Sequence, residues 1–324
     1  MSGWNKISGI LKDWMLPIAI VTGIGLYLLY YFCPALHPAG RFFHVIASDG
    51  QRLIVATLLF FQFVKVSPKD LQFRRWHLLA LLFQTLMFLG FAGLVYLTPE
   101  GPGRIILECA MLCLICPTAS AAGVITEKLK GYLSETMTYL VLINAVATFL
   151  IPSVIPMVRP SATFSFWQYV LRIGERVLPL LILPCLLAWL IRYTAPRLQR
   201  FMVRLSRYTF YIWGPGLMLA MVLSSHALLH SHLGIGSILC IVLVSVASCA
   251  LQFFIGRRFG KDRTERITAG QALGQKNTGF LIWLGYNYMT PVTSVAGGLY
   301  AIWQNLFNSW ELYRENHPGP TSSR

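Results

Sequence analysis

Apolar stretches separated by short polar ones run along the whole chain. Ten of them fall at approximately 14–33, 51–66, 76–97, 105–127, 132–157, 167–193, 208–229, 235–256, 267–286 and 291–312. A helix crossing a bilayer core needs about 20 predominantly apolar residues at about 1.5 Å each. The pattern predicts an all-α polytopic membrane protein with about ten transmembrane helices. Eight stretches read as uninterrupted. The fourth and ninth are broken by small and polar residues, "CPTASAAGVIT" (116–126) and "GQALGQKNTG" (270–279). The polar end "ENHPGPTSSR" reads as a disordered cytoplasmic tail over 317–324.

Composition agrees with this pattern. Of 324 residues, 56% are hydrophobic and only 12% charged, with mean hydropathy +0.60; soluble domains carry about 25% charged residues. The formal net charge of +15 would suit a nucleic-acid binder only if the basic residues shared one face. Here they sit in short loops between apolar stretches. Twenty of the 27 lysines and arginines fall at the amino terminus, in the even-numbered loops and in the tail. Six (Arg41, Arg52, Arg104, Arg159, Arg172 and Arg176) fall on the opposite side. That bias places both termini in the cytoplasm of a multi-pass protein, expected in a bacterial inner (plasma) membrane. The first apolar run lacks a cleavage site of the signal-peptide type. Seven cysteines lie almost entirely within apolar runs; Cys113 and Cys116 form a C-x-x-C with no second Cys/His pair, which predicts packing rather than a metal or cofactor site.

Ten spans divide into two sets of five, and a second copy of an odd-numbered set must be inverted. The halves correspond: "MLPIA" in span one with "LILPCLL" in span six, Gln84 in span three with Gln252 in span eight, and broken span four with broken span nine. The expected organisation is a first repeat over 1–157 and a second, inverted one over 158–316. Interrupted segments at matching positions are the best sequence pointer to a transporter's binding site.

The remaining basic residue, Lys276, sharpens this. Ten helical residues separate it from Arg266 at the cytoplasmic end of span nine, roughly 15 Å and close to the midplane. Pro117 lies eleven residues from Lys128 and reaches a similar depth, so the two breaks can meet. A charge there costs about 2.5–3.5 kcal/mol on insertion scales. Its stem reaches only about 6 Å, too short to snorkel out. Lys276 must therefore face a partner or a wet cavity, or bond carbonyls freed by the break. Thr118, Ser120, Gln275, Asn277 and Thr278 are candidates to line a site with it, and Pro117, Gly123 and Gly274 are the expected helix breaks. Glu108 and Glu135 read as helix-end carboxylates facing the membrane interface, and Asn144 and Asn305 as interhelical glue. The spans hold no zinc triad, no Ser/His pair and no two carboxylates at one depth, so an intramembrane enzyme is not expected.

At these two segments the chain resembles the bile acid:sodium symporter family. "CPTASAAGVITEKLKG" (116–131), "GQKNTGFLIWLGY" (274–286) and "LFQTL" (82–86) carry the resemblance. Family members typically read Cys-Pro-Gly-Gly-x-x-Ser-Asn-Val-x-Thr-x-x-x-x-Gly in span four. In span nine they carry a Glu, a Gly two residues on, then Gln-Asn-Ser/Thr-Gly. Cys116-Pro117, Val124, Thr126, Gly131, Gly274 and Asn277-Thr278-Gly279 match. The resemblance implies two inverted five-helix repeats arranged as a panel and a core domain, with discontinuous helices four and nine crossing at midplane. It also implies secondary transport of organic anions, from bile salts to small carboxylates.

The departures fall on the residues that the family uses for sodium. The Ser-Asn pair is Ala122-Gly123, the span-nine Glu falls at Ala272, and the Gln before the matched Asn is Lys276. Gln84 persists, as does a hydroxyl at Thr136. Sodium needs several hard oxygen ligands, and an ammonium stands where the cation would be held. The expected function is sodium-independent secondary transport of an organic anion by alternating access. Lys276 replaces the coupling cation and bonds Gln84 and the freed carbonyls. A proton- or sodium-coupled symporter, or a non-transporting sensor, are the alternatives.

Overall fold

The computed structural model describes residues 3–317; the tail beyond His317 lies outside the described residues. Fourteen α-helices and four short 3-10 helices account for most of those residues, with no β-strand among them. They are α1 (Gly3–Phe32), α2 (Gly40–Lys65), α3 (Arg75–Leu97), α4 (Pro102–Ile115), α5 (Ala122–Lys128), α6 (Leu133–Val158), α7 (Phe166–Leu181) and α8 (Leu183–Thr194). After these come α9 (Pro196–Leu205), α10 (Thr209–Leu229), α11 (Ile235–Phe259), α12 (Arg263–Gly274), α13 (Thr278–Tyr288) and α14 (Ser294–Asn316).

Five stretches are long and apolar enough to cross a membrane on their own: Arg75–Leu97, Leu133–Val158, Phe166–Thr194, Tyr211–Leu229 and Ile235–Phe259. A sixth arises if Pro17–Phe32 and Pro34–Lys65, bent by 107° at their junction, are taken together. α3 leaves Leu78, Leu79, Leu82, Leu86, Leu89 and Leu94 exposed. A soluble protein rarely exposes a contiguous apolar surface of that extent. The chain is an α-helical protein built to lie in a membrane.

The structure moves several expected boundaries. α2 begins at Gly40 rather than near residue 51, because Asp49 and Arg52 pair within one helical turn (3.5 Å) instead of ending the helix. The sixth stretch is two helices hinged at Ile182, where Pro184 sits in the first turn of α8. α9 is a helix where a loop was expected. Gly123 is not a break: it lies inside α5, and a Cβ there would come within 2.4 Å of Met137 Cε and 2.7 Å of Leu133 Cδ1. Its role is the close approach of α5 to α6.

Helices pair across the chain. α1 packs on α10, α2 on α8, α3 on α4 and α6, and α11 on α4, α12 and α14. Trp76, Tyr139, Ile143, Ala269, Ala272 and Leu273 join α3, α6 and α12 in one buried cluster. Another, with Ala19, Ala47, Leu217, Met221, Ile282 and Ala301, joins α1, α2 and α10 to α13 and α14.

Glu108 and Glu135 do not face an interface. Both are fully buried and held by residues distant in sequence. Glu135 accepts from Arg74 Nε (2.9 Å) and Trp76 Nε1 (3.0 Å). Glu108 accepts from Arg159 Nε (2.7 Å) and the backbone N–H of Thr290 (3.3 Å), with Arg104 Nε at 3.7 Å. It therefore ties α4 to the end of α6 and to the turn between α13 and α14. At the other end of the core, Glu315 receives Lys130 (2.8 Å) and Arg263 (2.6 Å). The bond from Lys130 holds the Glu315 carboxyl below the usual carboxylate range.

Removing one partner of a buried pair leaves an uncompensated charge, typically at a cost of about 3–5 kcal/mol. Arg159→Met is expected to destabilise the detergent-solubilised protein by about 3 kcal/mol, near the low end of that range because Arg104 remains. Glu108→Met combined with Arg159→Met is expected to cost less than Arg159→Met alone. Chemical denaturation of the two variants checks both expectations.

Candidate functional site

α4 ends at Ile115 and α12 at Gly274, and neither chain resumes its helix at once. Pro117, in the first break, has no N–H with which to continue the ladder. Gly274 packs so tightly on the Phe253 ring that a Cβ would lie 2.3 Å from it. The two extended segments lie antiparallel and pair through their backbones, with Thr118 opposite Lys276. Ala119 N–H donates to Gln275 O (3.0 Å) and Asn277 N–H to Pro117 O (2.8 Å). Asn277 Oδ1 then accepts from Phe280 N–H (3.2 Å) and caps α13.

A break inside an apolar protein frees carbonyls that water cannot reach, and each costs free energy unless it finds a donor. Side chains from three neighbouring helices, α3, α11 and α14, meet that need. Gln84 Nε2, from α3, donates to Ile115 O and Cys116 O (both 3.1 Å), and its Oε1 accepts from Tyr139 Oη of α6 (2.8 Å). Gln252 Nε2, from α11, reaches Cys113 O and Tyr300 Oη (both 3.1 Å). Tyr300 Oη, from α14, donates to Gly274 O (2.8 Å). Within the breaks, Thr118 Oγ1 donates to Ala272 O (2.7 Å) and Cys116 Sγ to Asn277 O (3.0 Å). Gln304, on α14, clamps the Lys276 backbone from both sides: its Oε1 accepts the N–H (2.8 Å) and its Nε2 donates to the carbonyl (3.2 Å).

This corrects the bond expected between Lys276 and Gln84. The Gln84 amide is spent on the α4 carbonyls and on Tyr139. Several other freed carbonyls have donors too. Lys276 Nζ, fully buried, has no hydrogen-bond partner among the described residues. The ionisable groups around it are the thiols of Cys116, Cys113 and Cys249. What favours a positive charge at this point is the backbone: α4 and α12 both end here, and helix carboxyl termini carry the negative end of the dipole.

The other candidate residues take different places. Thr118, Gln275, Ala122 and Ala272 are buried, whereas Ser120 and Asn277 keep part of their surface. Thr278 begins α13. Gln275 joins a buried polar network with Gln271, Asn308 and Glu311, which also receives Arg257. Thr136 Oγ1 donates to Thr126 Oγ1 (3.2 Å), tying α6 to α5 rather than lining the crossing. Asn305 bonds its own helix at Ala301 O, and neither polar atom of Asn144 has a partner among the described residues, so neither is seen to join helices there.

Two glutamines of α2 belong to this neighbourhood and were not singled out from the sequence. Gln51 and Gln62 are buried. Gln51 Nε2 lies 2.6 Å from where a Cβ of Gly279 would stand, beside the start of α13. Gln62 Nε2 lies 3.2 Å from the same position at Gly123, beside the start of α5. They stand about three helical turns apart and so share one face of α2, a spacing visible in the sequence. No protein-family model and no curated protein matches the chain.

A buried amine without an acceptor opposes folding, whereas an apolar side chain of similar volume does not. Lys276→Met is expected to raise the stability of the solubilised protein by about 1 kcal/mol or more. Gln84→Leu, which strands two carbonyls at about 1–3 kcal/mol each, is expected to lower it by about 2–6 kcal/mol. Thermal unfolding of both variants against the parent tests the contrast in sign.

Proposed function

We propose that the chain is a secondary transporter of organic anions working by alternating access, with Lys276 in place of a coupling cation. The observation that carries this reading is the antiparallel pairing of Thr118 and Lys276 at two helix breaks. Two helices end at this crossing and two begin. The ends favour a cation, and the beginnings, α5 and α13, favour an anion. An immobile ammonium on one side of the crossing and paired amino termini beside Gln51 and Gln62 suit an anionic solute that needs no sodium.

Two inverted five-helix repeats fit the helix pairings. Taking α1 to α6 as one set and α7 to α14 as the other, the contact of α1 with α10 has its counterpart in α8 with α2. Likewise α3 with α4 corresponds to α11 with α12, and α3 with α6 to α11 with α14. Gln84 with Tyr139 and Gln252 with Tyr300 are equivalent polar pairs in the two sets. In this scheme the α1, α2, α8 and α10 group forms the panel and the broken helices belong to the core. Bile salts and small carboxylates remain the substrate classes that the family resemblance implies.

The unpartnered Nζ favours one second reading, in which Lys276 releases and takes up a proton as the coupling ion. The two readings differ in their response to a proton gradient.

Protein reconstituted in liposomes is expected to take up taurocholate or pyruvate saturably, at equal rates in sodium and potassium buffers. Lys276→Gln is expected to leave the protein folded and to reduce uptake at least tenfold. Collapse of uptake by a protonophore would select the proton-coupled reading. A steep rise with external sodium, or binding with no transmembrane movement, would overturn the proposal.

A further inference from the structure

Between the end of α8 and the start of α10, the chain from Arg192 to Tyr208 carries five arginines and no acidic residue. Within it, α9 is a ten-residue helix with no buried residue. At 100° per residue, Arg197, Arg200 and Arg204 fall on one stripe about 60° wide, and Phe201, Leu205 and Leu198 fall on the adjoining arc. All three apolar side chains are exposed. The helix is held by its far edge: Gln199 Nε2 donates to Val64 O (3.2 Å), and Arg192, just before it, donates to the same carbonyl (3.0 Å). Arg207 stacks on the Tyr208 ring at 4.8 Å.

The three arginines of the stripe have no carboxylate within ion-pair distance among the described residues. They line a shallow recess of about 550 Å³ together with Gln199 and Val203. Arg74, Arg104, Arg159, Arg257 and Arg263, by contrast, are each paired with a glutamate. Three unpaired guanidinium groups in one row, next to exposed Leu and Phe and directly joined to a membrane span, are complementary to an anionic surface that is also apolar beneath. The headgroup boundary of a bilayer supplies both.

We infer that α9 lies in the membrane interface and binds acidic phospholipid headgroups through Arg197, Arg200 and Arg204. Leu198, Phe201 and Leu205 enter the acyl boundary beside them. A guanidinium can take two phosphate oxygens at once, and a basic residue near an anionic leaflet contributes about fivefold in affinity. The contact anchors the segment that joins α8 to α10 and does not depend on what the protein transports.

The test uses the full chain in neutral detergent, with phosphatidylglycerol or phosphatidylcholine titrated into the micelles, and bound lipid counted by native mass spectrometry. Phosphatidylglycerol is expected to bind in preference to phosphatidylcholine. The combined variant Arg197→Gln, Arg200→Gln, Arg204→Gln is expected to bind it about a hundredfold more weakly, and the corresponding lysine variant to keep most of the preference. Three outcomes would overturn the inference. One is equal binding of the two lipids; another is an unchanged preference in the glutamine variant. The third is loss of bound phosphatidylglycerol from the parent on adding inorganic phosphate at the same concentration, which would make this a site for free anions. A polypeptide that copurifies with the parent but not with the glutamine variant, in the absence of any lipid preference, would replace the lipid with a protein partner.

Discussion

Breaking a helix where water cannot follow leaves carbonyl groups that must find donors inside the protein, and this requirement organises the core. The two breaks do part of the work themselves by pairing as extended antiparallel segments, Ala119 to Gln275 and Asn277 to Pro117. Gln84, Gln252, Tyr300 and Gln304 complete much of the rest from α3, α11 and α14. Four glutamine and tyrosine side chains in apolar helices, each costly by itself, are explained by that single need.

Lys276 stands apart from this network while its backbone is at the centre of it. Its N–H and carbonyl are held by Gln304, but its ammonium group has no acceptor among the described residues, and the ionisable groups that act on it are the thiols of Cys116, Cys113 and Cys249. A group that destabilises the folded state and lies at a crossing of helix ends has the features of a functional residue retained against stability.

Much of this was legible in the sequence. Apolar periodicity placed the long helices, and small and polar residues at 116–126 and 270–279 placed the breaks, because only a broken helix needs such residues in an apolar stretch. Depth counted from Arg266 and Lys128 brought Lys276 and Pro117 together. What the sequence could not show was long-range partnership. Glu108 reads as a helix-end carboxylate until Arg159, some fifty residues away, is seen against it; Glu135 likewise awaits Arg74 and Trp76. Gln84 was read as the partner of Lys276 because an amide can accept an ammonium; the competing carbonyls of Ile115 and Cys116 became visible only in three dimensions. Gly123 looked like a helix breaker but is a packing glycine, a distinction set by Met137 and Leu133 across the interface.

The claim on which the functional account rests is that a tethered amine has taken over the position of a bound sodium ion. Its most direct test is thermal unfolding in matched sodium and potassium chloride, for the natural chain and for a variant carrying Ala272→Glu and Lys276→Gln, which places a carboxylate and an amide at the crossing. The account predicts equal unfolding temperatures in the two salts for the natural chain and a sodium-specific rise for the variant. A sodium-specific rise in the natural chain would contradict it.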